Sequence, residues 1–132
     1  MLTKQNRGLA AHLLGLIVLL GFLSACAPPG PEALLDGKRL LDRGEPSAAI
    51  RKLREATALM PTNALAWGYL GLAYHHAGSP SNAVAAYARA IQLSPDSAEV
   101  RFNLGMLRME HAQWQEARDL FASVTVLHPD DA

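Results

Sequence analysis

Residues recur through this chain at a fixed spacing of 34. Pro61, Pro95 and Pro129 stand in one column, and Gly37, Gly71 and Gly105 in a second. Ala49, Ala83 and Ala117 form a third, and Leu59, Leu93 and Leu127 a fourth. Four columns held in register over three copies demand one supersecondary unit used three times, each copy burying its apolar face on the next. Alanine and leucine are abundant while aromatic and β-branched residues are few, and no stretch sustains strand alternation, so the unit is helical. Glycines and prolines punctuate it. Gly44 and Gly78 mark a break inside the unit, Ser79-Pro80 reads as a cap with a first-turn proline, and Asn63 and Ser97 read as caps at the start of later copies.

The period and its residues resemble the tetratricopeptide repeat. Trp67, Leu70-Gly71, Tyr74, Ala83, Tyr87 and Pro95 meet that family's pattern in the second copy. The third keeps Leu104-Gly105, Ala117, Phe121 and Pro129 but has Arg101 and Arg108 at the aromatic positions. The first keeps Gly37, Ala49, Ala56 and Pro61, with Ala33, Asp36 and Leu40 at the larger positions. The repeats divide as 30–63, 64–97 and 98–131. The resemblance implies an all-α fold: a right-handed α-solenoid of three helix–turn–helix repeats. Gly71 and Ala83 remove bulk where paired helices cross, and Leu70, Tyr74 and Tyr87 fill the space beside them.

In this family a concave surface, lined by the first helix of each repeat, holds a protein client. Carried onto this chain, that geometry selects Leu34, Lys38 and Leu41, then Leu65, Leu72 and His75 or His76, then Phe102, Met106 and Met109. The set is mostly apolar and suits a partner peptide or helix. Leu72 and Phe102 could equally tilt into the core, because periodicity alone does not set a helix's rotation. The lysine, arginine and asparagine clamp by which related repeats hold acidic chaperone tails has only Lys38 and Asn103 as remnants here. The second repeat carries just Arg89 and Asp96 as charged residues, and Ala85, Ala86, Ala88 and the two histidines dominate its surface.

Other chemistries find little support. His75 and His76 are adjacent, so in a helix they point about 100° apart and do not grip one metal ion. No Ser-His-Asp order, phosphate-loop glycines or catalytic carboxylate pair can be assembled, so neither an enzyme nor a cofactor is expected. Without Lys4 and Arg7 the twelve basic side chains fall to ten, against twelve acidic ones, and nothing in that balance points to nucleic acid.

The first 25 residues follow different rules. Lys4 and Arg7 precede an apolar run from Leu9 to Leu23, and small residues close it, as in a secretory signal. The run is short for a membrane span, which needs about 20 apolar residues. Leu23-Ser24-Ala25-Cys26 resembles a bacterial lipobox, and Cys26 is the only cysteine. The resemblance implies cleavage before Cys26 and a lipid anchor on its thiol. Ala27, where an aspartate would retain the protein at the inner membrane, implies the outer membrane, periplasmic side. Two alternatives stay open: ordinary signal cleavage after Ala27, and an uncleaved anchor over Leu9–Ala25. Cys26 with Pro28, Pro29, Gly30 and Pro31 reads as a lipidated residue and short spacer over 26–31.

These readings converge on a lipid-anchored scaffold similar to the small repeat lipoproteins that assemble pili or secretion channels, in the manner of a pilotin. An adaptor for a peptidoglycan enzyme and a self-associating structural protein are the alternatives. The third repeat closes one residue before Ala132, with no capping helix after it. Its Leu120, Val124 and Leu127 row is expected to be covered by a second copy or by the client, unless the sequence is incomplete.

Overall fold

The computed structural model describes residues 29–127. Those residues form six helices in three antiparallel pairs: α1 (Pro29–Asp42) with α2 (Pro46–Leu59), α3 (Ala64–His76) with α4 (Pro80–Leu93), and α5 (Ala98–Glu110) with α6 (Trp114–Leu127). This is the expected all-α solenoid of three repeats. The signal segment, Cys26, Pro28 and Pro129 lie outside the described residues.

Each pair closes on its glycine column. A Cβ built on Gly37 would lie 2.5 Å from Leu53 Cγ, one on Gly71 2.5 Å from Tyr87 Cδ1, and one on Gly105 2.6 Å from Phe121 Cε1. The second helix of every repeat therefore drives a large side chain into the gap that the first helix leaves. Ala49, Ala83 and Ala117 are buried in the same crossings. Clusters of buried side chains tie the repeats together. Leu41, Leu53, Leu70 and Ala73 join the first to the second; Tyr87, Ala90, Val100, Leu104 and Leu107 join the second to the third.

The turn inside each repeat uses a left-handed residue: Gly44 (φ +74°), Gly78 (φ +69°) and Ala112 (φ +59°). The next amide bonds back to the carbonyl five residues earlier, at 2.9 Å each: Glu45 to Leu40, Ser79 to Tyr74, and Gln113 to Arg108. Between repeats, Asn63 Oδ1 accepts from the Ala66 amide at 3.0 Å and Ser97 Oγ from the Val100 amide at 3.4 Å, as the caps require. Ser79 differs from expectation, because its side chain makes no capping bond and Pro80 alone starts α4.

The spacer is also shorter than expected, since α1 begins at Pro29 rather than after Pro31. First-turn amides have no intrahelical partner, so prolines there cost no hydrogen bond. Gly30 is buried against Met60 and Leu59, which anchors this first turn to the end of α2.

Arg101 keeps a contact that the aromatic pattern would have supplied. Trp67 Nε1 donates to the Pro61 carbonyl at 2.9 Å. One period later, Arg101 Nε and Nη2 donate to the Pro95 carbonyl at 3.1 and 2.8 Å. Arg108, the second departure, forms an ion pair with Glu116 across the α5–α6 pair, Nε to Oε2 at 3.1 Å.

Candidate protein-binding groove

The first helices, α1, α3 and α5, lie side by side, and between α3 and α5 opens a cavity of about 220 Å³. Its floor is Leu65, Gly68, Leu72 and Val100, and its polar rim is Tyr69, Ser94, Ser97, Glu99 and Asn103. Leu65 is 53% exposed although it is a leucine in the first turn of a capped helix. Sites for drug-sized ligands run roughly 300–1,000 Å³, so this one has room for a side chain or two of a bound segment.

Column by column, the structure separates the expected groove residues into two groups. Lys38, Leu72 and Met106 occupy one column, exposed at Lys38 and half-buried at the other two. Leu65, exposed, lies in a second, and His76, also exposed, in a third. These belong to the open face of the first helices. The Lys38 ammonium is pushed up, chiefly by its hydrogen bond and charge contact with Asp42 on its own helix.

The other expected residues face along the stack toward the next repeat. Leu41 is only 8% exposed and packs with Leu53 and Leu70, so it is core rather than groove. One period on, the His75 side chain is 13% exposed, with Nε2 2.9 Å from Glu110 Oε2 on α5. This contact is an ion pair only when His75 is protonated. Met109, third in that column, is 38% exposed because no described helix follows it. Leu34, Gly68 and Phe102 repeat the pattern: Leu34 packs against the cluster of Ala33, Ala56 and Ala66, and a Cβ on Gly68 would lie 3.2 Å from Val100. Phe102, at the same position, stands 48% exposed and packs against Phe121 with ring centroids 5.6 Å apart and ring planes tilted by 50°. Phe102 and Met109 thus mark the C-terminal edge of the stack. There a second opening of about 400 Å³ is lined by Met109, Trp114, Ala117, Arg118, Phe121 and Thr125. Leu120 and Val124 of the expected uncovered row are half-buried, and Leu120 packs on the second cluster.

Tyr69 and Glu99 were missed by selecting apolar residues one repeat at a time. Glu99 is one period after Leu65, and Asn103 one period after Tyr69, so reading columns rather than hydrophobicity places all four together.

Stacked helical hairpins joined by short turns, with an open groove on their first helices, define a helical-repeat solenoid built to present a binding surface. The repeats are tetratricopeptide repeats: two models of that repeat match residues 34–98 and 74–132, and they overlap across the second copy. The chain is 31% identical over 75 residues to the peroxisomal targeting signal receptor of Eremothecium gossypii, and 32% over 73 residues to that of Saccharomyces cerevisiae. Those stretches are 57% and 55% of this chain but only 13% and 12% of the receptors, so the chain spans about an eighth of their length. Among solved structures, the crystal structure of MamA matches with a TM-score of 0.73 and 27% identity, over 76% of this chain and 58% of that one. The second TPR of Spaghetti (RPAP3), bound to the HSP90 peptide SRMEEVD, matches in fold with a TM-score of 0.72 and 21% identity, over 76% of this chain and 94% of that one.

Proposed function

We propose that this chain is a lipid-anchored scaffold of the bacterial envelope, whose repeats hold a segment of another protein in the groove between α3 and α5. The observation that carries this reading is the solvent-open, apolar-floored cavity on the first helices, where Leu65 remains exposed while Leu70, a leucine on the same helix, is buried. A solvent-facing apolar site with a polar rim is a binding surface by default. The same fold holds a peptide in the second TPR of Spaghetti, which supports a peptide-sized client.

The address comes from Cys26 and the residues before it. One acyl chain holds a protein only marginally, at about 0.8 kcal/mol per buried methylene, whereas two or more anchor it stably. In this reading the lipid fixes the scaffold to the outer membrane, periplasmic side, and the groove assembles a pilus or secretion complex.

Leu65→Gln tests the groove, because Leu65 is exposed and its loss leaves the core intact. Client affinity falls at least about fivefold, an interface effect of about 1 kcal/mol or more, with helicity by circular dichroism unchanged. Unaltered client affinity would place the site elsewhere. Cys26→Ser tests the anchor: lipid labelling disappears and precursor accumulates. A mature protein beginning at residue 28 without lipid, detected by mass spectrometry, would contradict the anchor while leaving the groove reading intact.

A further inference from the structure

The open face of the first helices carries four charged side chains whose partners can be followed one by one. Lys38 Nζ is held by Asp42 Oδ2 at 2.9 Å on its own helix. Glu110 is taken by His75 Nε2, also at 2.9 Å. Glu99 alone has no ion pair or side-chain hydrogen bond among the described residues. It lines the groove cavity, and no lysine or arginine lines that cavity with it. Around it stand groups that can accept hydrogen bonds: the Tyr69 and Ser94 hydroxyls and the Asn103 amide oxygen. Below them lie Leu65, Leu72 and Val100.

Resting on the groove reading, we propose that this site selects a client segment with a lysine or arginine set among apolar residues. The aliphatic stem of such a side chain covers the leucine and valine floor, and its cationic head meets Glu99 and the oxygen rim. A carboxylate in the same place would meet Glu99 as a like charge. The preference is opposite in sign to the bound peptide of the second Spaghetti repeat domain, whose sequence SRMEEVD has three acidic residues against one arginine. The first turn of α5 favours an acidic residue whether or not a ligand binds, because a helix N-terminus is partially positive. The functional content therefore lies in the selectivity, which a purely local role for Glu99 would not produce.

The test uses the full chain in detergent and three end-blocked, dye-labelled peptides that share a leucine–alanine framework and differ at one central residue: lysine, glutamine or glutamate. Fluorescence anisotropy should give the lysine peptide about fivefold tighter binding than the glutamine peptide, the scale of one exposed charge pair. The glutamate peptide should be weaker again, by about tenfold from lysine, and the differences should shrink as salt rises. Glu99→Gln should bring the three within about twofold of one another, and Glu99→Lys should reverse their order. The inference is overturned if the glutamate peptide binds as well as the lysine peptide, or if the lysine peptide fails to bind at about 1 mM. If all three bind equally and Leu65→Gln weakens them all, cation selection is wrong and the groove remains. If Leu65→Gln changes none of them, the groove reading itself fails.

Discussion

The second and third repeats use the same columns in different surroundings. In the second, Tyr87 fills the gap over Gly71 and is fully buried, because α5 packs across it. In the third, Phe121 fills the gap over Gly105 in the same way but is only half-buried, since no described helix follows. Gly78 turns the second repeat with a left-handed residue that has no Cβ, whereas Ala112 makes the same turn with one. Trp67 holds the Pro61 carbonyl through an indole nitrogen, and Arg101 holds Pro95 through a guanidinium. A repeat's sequence thus specifies its own hairpin, while its neighbour decides how rigidly each side chain is held.

Filling both glycines separates the two repeats most strongly. Alanine gains about 1 kcal/mol of helix propensity over glycine, and overpacking a rigid core costs roughly 1–3 kcal/mol. Gly71→Ala forces a Cβ against the enclosed Tyr87 ring and should lose about 2 kcal/mol of stability. Gly105→Ala pushes on Phe121, which can swing toward solvent, so the propensity gain offsets the cost and stability should change by less than about 0.5 kcal/mol. Urea unfolding followed by circular dichroism measures both. Equal losses would show that the neighbouring repeat adds no rigidity.

The turns give a smaller contrast with opposite signs. A non-glycine residue in the left-handed region costs about 1–2 kcal/mol. Ala112→Gly should therefore raise stability by about 1 kcal/mol, and Gly78→Ala should lower it by about the same amount. The same unfolding curves test this pair, and a loss on Ala112→Gly would contradict the backbone argument.

The smallest expected effect concerns the ring that fills the second repeat. The Tyr87 hydroxyl is buried with no partner among the described residues, and the third repeat has phenylalanine in its place. Tyr87→Phe should be neutral to stabilising by up to about 1 kcal/mol, because an unsatisfied buried hydroxyl is removed. Burial pushes the Tyr87 phenol above its ordinary value of 10.0. Its contribution is thus fully present below pH 10 and lost as pH rises beyond it, since the unfolded chain ionises first. Tyr87→Phe should flatten that alkaline loss in a pH series of unfolding midpoints.

Much of the fold was legible because the period reports packing directly. Glycine faces a large side chain, proline follows a helix end, and Asn63 and Ser97 cap, each for a local reason. Pro29 was misread because a proline cluster looks like a spacer when its position in the first helical turn is unknown. The groove was only partly legible, for a non-local reason. Leu41 and Leu65 are the same residue type on corresponding helices, yet one is core and the other exposed. What separates them is the helix of the following repeat, which covers the columns of Leu41 and Leu34 and leaves that of Leu65 open. Glu99 and Tyr69 were legible in principle, through the columns they share with Leu65 and Asn103.

The proposed client lies on the first helices, between α3 and α5. Backbone amide shifts in a magnetic resonance titration of the labelled chain with the lysine peptide test it most directly. The largest shifts are expected at Leu65, Tyr69, Leu72, Glu99 and Asn103. A separate cavity of about 490 Å³ is lined by Arg54, Ala58, Asn82 and Ala85 among others, and shifts confined to those residues, or to Trp114–Thr125 at the open end, would place the client elsewhere.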